Sequence, residues 1–99
     1  MTINKQLDNK VLTVSLQGRL DTSTSPELDR ELQASLDDVQ KLIMDFQALE
    51  YVSSAGLRVL LSAQKRMSRQ HGEMVVRNVN ETINEVFELT GFIDILNIE

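Results

Sequence analysis

The sequence predicts an α/β fold, in which one mixed β-sheet carries helices packed against it. Some segments look like strands, because their apolar residues alternate every two positions or run continuously. Between them lie segments with the 3.6-residue repeat of amphipathic helices. The first two strand-like segments follow one another across a short turn, whereas the later ones are separated by helices. The predicted order is therefore ββαβαβα(β), in which a β-hairpin adds an antiparallel edge to parallel strands.

The amino-terminal hairpin is predicted from two short segments around a polar turn. Thr2 to Leu7 has the composition of a strand, and Asp8-Asn9 supplies the turn. From Val11 to Leu16, apolar and hydroxyl side chains alternate, which is typical of a strand buried on one face. We expect the chain to leave this strand at Gly18 and to pass through Asp21 into a helix.

The first helix is predicted to begin within residues 22–27, where hydroxyl side chains precede Pro26 and an acidic residue. Its apolar stripe consists of leucines that recur every four residues, at Leu28, Leu32 and Leu36. Two consecutive acids, Asp37-Asp38, are unfavourable at the negative end of a helix. We therefore expect the helix to end there.

A strand and a long helix flank a pair of serines in the middle of the chain. Lys41 to Phe46 contains three consecutive apolar residues, which indicates burial on both faces, and Gln47 to Tyr51 is predicted to be a connection. Ser54 to about Gln70 has helical periodicity. The shared face consists of Leu57, Leu60, Leu61, Gln64 and Met67. His71-Gly72 ends the helix, with Gly72 predicted in a left-handed cap.

The last third contains another buried strand, from Glu73 to Val79, and a helix that Asn80 caps and Gly91 ends. The apolar face of this helix consists of Ile83, Val86 and Phe87. A short apolar segment from Phe92 to Ile98 closes the chain, and its assignment as a strand stays open. Three methionines on apolar faces are predicted to fill the core, namely Met44, Met67 and Met74.

Composition indicates a single domain that spans residues 1–99. Hydrophobic residues make up 41% and charged residues 25%, as in ordinary globular proteins. The absence of cysteine excludes disulfides and cysteine-based zinc sites. A net charge of −5 disfavours nucleic acid as the main partner, and the apolar runs are too short to insert in a membrane. Residues 1–5 lack the apolar segment of a signal peptide, so we expect a cytoplasmic protein.

The candidate functional residues surround Ser53 and Ser54. A hydroxyl at the start of a helix either caps the helix or holds a phosphate there, and from the residues alone capping is the commoner role. Ala55 and Gly56 are small enough to let a partner approach the backbone. Asp21, predicted at the same end of the sheet, is either a turn residue or a carboxylate beside the serines.

We expect no catalytic residue, no metal and no cofactor in this chain. The serines lack the flanking glycines of a nucleophile elbow, and no glycine-rich phosphate loop occurs. The single histidine, His71, lies at the far end of the helix that Ser54 begins, roughly 25 Å away at 1.5 Å per residue. The acidic residues have no metal-ligand spacing.

Four motifs together carry a resemblance to a known family. Gly18 to Asp21 is similar to a G-x-[LIV]-D motif, and Ser53 to Leu57 is similar to a D-S-[ST]-G-L loop. Gly72 to Val76 and Val86 to Phe92, which ends in Thr-Gly-Phe, match later motifs in the same order. Over nearly its whole length the chain resembles STAS domains, and most closely the stand-alone bacterial anti-sigma factor antagonists.

The resemblance implies regulation by partner switching. In that family the unphosphorylated antagonist binds an anti-sigma factor, a serine kinase of the histidine-kinase-like ATPase type, and phosphorylation ends the binding. A metal-dependent serine phosphatase restores it. By resemblance Ser54 is the phosphorylated residue, with Ser53 as second choice, because Ser53 replaces the family's aspartate and Ala55 its second hydroxyl residue. The expected partner contacts are Asp21, Thr22, Ser53, Ser54, Ala55, Gly56, Leu57 and Arg58.

Two other functional classes remain open at this point. One is a STAS-type binding subunit of another signalling system or of a lipid-transport ATPase complex, without a sigma factor. The other is a nucleotide-binding enzyme. The short polar edge of the predicted sheet favours a monomer.

Overall fold

The computed structural model describes all residues from 1 to 99, and a mixed four-stranded sheet organises them. The elements are β1 (Thr2–Asp8), β2 (Val11–Leu20), α1 (Ser25–Ser35), β3 (Lys41–Val52), α2 (Ser54–Arg69), β4 (Glu73–Arg77), α3 (Glu81–Thr90) and the 3-10 helix η1 (Phe92–Asp94). The strands lie in the order β1-β2-β3-β4, with β1 antiparallel to β2 and the other pairs parallel. The predicted α/β architecture is confirmed.

The hydrophobic core joins one face of the sheet to the apolar faces of the three helices. Along β2, Leu12, Val14 and Leu16 are buried while the residues between them are partly exposed, as the alternating sequence predicted. The predicted leucine stripe of α1 and the three predicted core methionines are also buried.

Both central strands are longer than predicted. β2 continues through Gly18 to Leu20, and Gln47 to Tyr51 belongs to β3 instead of forming a connection. The pairing of β2 with β3 continues past two register shifts, one of them next to Gly18, whose φ is +102°. Such bulges break the two-residue alternation in the sequence while the strands remain paired.

The end of α2 differs in one detail from the prediction. His71 has the left-handed conformation, with a φ of +60°, and Gly72 does not. A Cβ atom on Gly72 would lie 2.6 Å from the carbonyl oxygen of Gln40, so this glycine is needed for close packing. At α3 the prediction is confirmed, since the Asn80 side chain accepts a hydrogen bond from the Ile83 N–H at 2.8 Å.

The chain beyond Gly91 forms η1 and then a single bridge in place of a complete strand. Ile98 pairs in parallel with Val76 at the edge of β4, and β4 ends at Arg77, two residues before the predicted Val79. No helix of this chain has the length and apolar character needed to cross a bilayer.

Candidate functional site

The carboxyl ends of β2 and β3 bring the two predicted loops together. Leu20 pairs with Val52, and the N–H of Ser53 donates a hydrogen bond to the carbonyl oxygen of Leu20 at 2.9 Å. Asp21 directly follows Leu20, and Ser53 directly follows Val52. The expectation that Asp21 and the serines lie at the same end of the sheet is therefore confirmed.

The two serines have different positions at the start of α2. Ser53 is the N-cap, with extended backbone, and its half-buried side chain accepts a hydrogen bond from the Gly56 N–H at 3.4 Å. Ser54 is the first helical residue, it is exposed, and its hydroxyl has no hydrogen-bond partner within the protein. Capping thus occupies Ser53 and leaves the Ser54 hydroxyl free at the positive end of the helix.

Replacing each serine by alanine should separate these positions in a stability measurement. Ser53→Ala is expected to lower the free energy of unfolding by about 0.5–1 kcal/mol, because the cap is lost. Ser54→Ala should stay within about 0.5 kcal/mol of the parent, since it removes no contact. Urea unfolding monitored by circular dichroism measures both. A larger loss for Ser54→Ala than for Ser53→Ala would contradict the assignment of the cap.

Gly56 and Leu57 pack inward, between the first turn of α2 and the core. A Cβ atom on Gly56 would lie 2.7 Å from Cγ of Leu20 and 3.1 Å from Cγ1 of Val52, so the first turn of α2 rests directly on the ends of β2 and β3. Leu57 is 5% exposed and belongs to the core. The small size of Gly56 therefore serves packing inside the protein, and the interpretation of this residue as an open approach for a partner was wrong.

The accessible residues of the site surround a shallow groove between the beginnings of α1 and α2. Its lining includes Thr22, Pro26 and Asp29 on one side and Ala55 and Arg58 on the other. Thr22 and Arg58 are exposed, and Ala55 is partly exposed. These residues and Ser54 form the surface that another protein can touch.

Asp21 organises the loop between β2 and α1. Its Oδ1 accepts hydrogen bonds from the N–H and hydroxyl of Ser23 at 3.0 and 2.9 Å and from the N–H of Thr24 at 3.1 Å. These bonds, the one from the Ser23 hydroxyl first, lower the pKa of Asp21 below its ordinary value. These bonds confirm the role of Asp21 as a turn residue. The other carboxylate oxygen, Oδ2, lies 3.9 Å from Nε of Arg19.

The lowered pKa of Asp21 predicts how the loop responds to acid. Because the carboxylate gains its bonds only in the folded state, its contribution to stability is complete above the unfolded-state pKa and is lost as the pH falls through the lower folded-state pKa. A carboxyl-carbon NMR titration should place the midpoint of Asp21 below 3.8, the ordinary value. In Ser23→Ala the midpoint should rise toward that value, and an unchanged midpoint would contradict the assigned cause.

One contact beside the site was missed in the sequence. The guanidinium of Arg19 lies 4.5 Å from the centre of the Tyr51 ring, an exposed cation–π pair. Arg19 and Tyr51 are partners in the register of β2 and β3. The sequence predicts a connection at Tyr51, and the two residues become partners only because β3 extends to Val52.

The sequence model of the STAS domain family matches residues 2–99. This chain belongs to the STAS domain family. A candidate anti-sigma factor antagonist of Bordetella bronchiseptica, BtrV, is 35% identical to this STAS domain over 89 residues, which cover 89% of this chain and 77% of the relative. The anti-sigma-B factor antagonist of Staphylococcus aureus is 25% identical and covers 99% of this chain and 92% of its own length.

Solved structures share the fold of this STAS domain. An anti-sigma factor antagonist from Mycobacterium paratuberculosis superposes with a TM-score of 0.86 at 24% identity, covering 98% of this chain and 83% of its own. The antagonist SpoIIAA gives a TM-score of 0.78 in its unphosphorylated form, at 16% identity with 99% and 87% coverage. Phosphorylated SpoIIAA of Bacillus gives 0.78 at 17% identity, with 99% and 91% coverage. The fold of this STAS domain therefore resembles both forms equally.

Proposed function

We propose that this STAS domain is an anti-sigma factor antagonist that is switched off by phosphorylation of Ser54. In its unphosphorylated form it binds an anti-sigma factor, which is also a serine kinase of the histidine-kinase-like ATPase type, and so releases a sigma factor. A metal-dependent serine phosphatase restores the binding form. The observation that carries this proposal is the exposed, unbonded hydroxyl of Ser54 at the first residue of α2. The names of the relatives support it.

Electrostatics explain how one modification changes the interaction without changing the fold. A phosphate adds a charge of roughly −1.5 to −2. The amino terminus of α2 accommodates this charge, because its free N–H groups form the positive end of the helix. A partner surface that contacts a neutral hydroxyl does not accommodate it, since an unpaired phosphate must lose its water. The phosphate therefore acts mainly on the complex.

Geometry favours Ser54 over Ser53 as the phosphorylated residue. A kinase needs a hydroxyl that can enter its active site. The Ser53 hydroxyl is half-buried and bonded to the Gly56 N–H, so its modification would require the cap to open. The Ser54 hydroxyl needs no such change.

Arg58 is an exposed cation on the same face of α2 as Ser54, four residues further along the helix. Arg58→Glu reverses a charge at the rim of the proposed interface, so we expect it to weaken binding to the anti-sigma factor by about five- to tenfold, mainly through slower association. Arg69→Glu, the same change at the other end of α2, should have little effect. Isothermal titration calorimetry with the cognate anti-sigma factor measures both. Equal losses for the two variants would contradict this placement of the interface.

We further propose that the chain is a cytoplasmic monomer that catalyses nothing itself, with ATP and the metal bound by its partners. The length of α2, which separates Ser54 from His71 just beyond its end, supports this proposal, because no other histidine is present to activate the serine. Equilibrium dialysis should detect no tight ATP binding by the isolated chain. Tight binding would favour the enzyme hypothesis instead.

A displacement assay tests the antagonist function itself. A preformed complex of the sigma factor with its anti-sigma factor is mixed with increasing amounts of the STAS domain, and free sigma factor is measured by size-exclusion chromatography. We expect stoichiometric release. Failure of release, together with a gene neighbourhood that encodes a permease, would favour the alternative role in a lipid-transport ATPase complex or another signalling system. The names of the relatives do not favour that alternative.

A further inference from the structure

A second surface of the molecule, at the end of α3, exposes large apolar side chains. Leu89 is 88% exposed and Ile95 is 46% exposed, and the only other large apolar residue so exposed is Leu7 on β1. Leu89 lies four residues after Glu85 and three after Val86, so these side chains are neighbours on the helix surface. Val86 and Phe92 are partly buried at the edge of the core. Val86, Leu89, Phe92 and Ile95 thus give the end of α3 and the turn after it an apolar strip that the chain itself does not cover.

The segment that carries this strip contains only acidic charged residues. Residues 78–99 contain five acidic and no basic side chains, whereas residues 1–77 contain ten of each. The whole net charge of −5 therefore lies in this last segment. Of its acids, only Glu99 forms an ion pair, with Arg77 at 2.6 Å. The remaining acids, Glu81, Glu85, Glu88 and Asp94, are exposed and have no cationic partner.

Glu85 and Leu89 share the outer side of α3. Ile83 and Phe87 are fully buried and fix the side that faces the core. At 100° per residue, Glu85 and Leu89 lie on the opposite side of the helix from Phe87. A partner that approaches α3 from solvent meets apolar side chains and uncompensated carboxylates at the same time.

We propose that the acidic α3 surface, made of Glu81, Glu85, Glu88, Leu89 and Ile95, docks a basic amphipathic helix of a partner protein. Leucine-like side chains of that helix would cover Leu89 and Ile95, and its lysines or arginines would meet the carboxylates. A second copy of this chain is disfavoured as the occupant, because two surfaces of the same negative charge repel each other. Anionic lipids and nucleic acids are disfavoured for the same reason. The surface contains none of the residues around Ser54, so the inference does not depend on the proposed function.

A model peptide tests the chemistry of this surface without knowledge of the natural partner. The probe is a peptide of about 18 residues that contains only leucine and lysine in an amphipathic helical pattern. It is titrated into the full-length ¹⁵N-labelled protein, and amide shifts are followed by NMR. We expect saturable shifts concentrated in α3 and residues 92–96. A glutamate version of the peptide should produce none of these shifts.

Two matched substitutions decide whether the apolar strip contributes. Leu89→Asn should weaken peptide binding by about tenfold, because it removes the most exposed apolar contact without changing the charge. Leu7→Asn makes the same change on β1 and should leave the affinity unaltered. The inference is overturned if the shifts map to another surface or if both variants lose affinity equally. It is also overturned if sedimentation shows a dimer of the parent that Leu89→Asn dissociates, since the occupant is then a second copy.

Discussion

Ser54→Asp is expected to weaken binding to the cognate anti-sigma factor by at least about 100-fold, whereas Ser54→Ala should bind within about fivefold of the parent. Aspartate places a carboxylate where the proposed interface contacts a neutral hydroxyl. Removing that charge from water without a partner costs several kcal/mol, which exceeds the roughly 2.7 kcal/mol that a 100-fold change requires. Isothermal titration calorimetry with each variant measures the difference.

The control for this substitution adds the same charge elsewhere on α2. Ser62 is exposed two turns after Ser54, and Ser62→Asp should bind nearly as well as the parent. Thermal unfolding of each variant by circular dichroism should show that the fold is retained. If Ser54→Asp binds like the parent, or if Ser62→Asp loses as much, the effect of a charge at Ser54 is not the basis of the switch.

Gly56→Ala is expected to destabilise the protein by about 1–3 kcal/mol, which is unusual for a glycine inside a helix. Helix propensity alone favours alanine by about 1 kcal/mol. The added methyl group, however, would lie 2.7 Å from Cγ of Leu20, a side chain that is fully buried. Overpacking therefore outweighs propensity. Urea unfolding measures the net effect.

Ala55→Gly provides the opposite change in the same turn of α2. Loss of helix propensity should cost up to about 1 kcal/mol there, without any clash. A Gly56→Ala variant that is more stable than the parent would mean that α2 does not rest on the strand ends as described. Since the same packing places Ser54, Gly56→Ala should also weaken anti-sigma factor binding in proportion to the displacement of α2.

The sequence predicted best those elements whose buried residues recur at one regular spacing along the chain. The leucine stripe of α1, the alternation in β2 and the cap at Asn80 depend on local spacing, and the structure has all three. The second half of β3 was not predictable in this way. Its inward residues, Leu49 and Val52, are three apart, because the second register shift with β2 leaves Glu50 as an extra residue in β3. Only the partner strand reveals that this segment is paired.

The position of the site was predictable from the sequence, but which of the two serines caps α2 was not. Adjacent strand ends in a parallel sheet explain why Asp21 and the serines meet. Two consecutive serines are equivalent in the sequence, and a start of α2 one residue later would make Ser54 the cap instead of Ser53. The carbonyl oxygen of Leu20, which holds the N–H of Ser53, sets that start. Leu20, which is distant in the sequence, likewise explains why position 56 needs a residue without a Cβ atom.

Mass spectrometry of the kinase reaction tests the central proposal most directly. The parent, Ser53→Ala and Ser54→Ala are each incubated with the cognate anti-sigma factor kinase and ATP, and the modified residue is located by peptide fragmentation. We predict one phosphate on Ser54 in the parent and in Ser53→Ala, and none in Ser54→Ala. Phosphorylation of Ser54→Ala to the same extent as the parent would contradict the account.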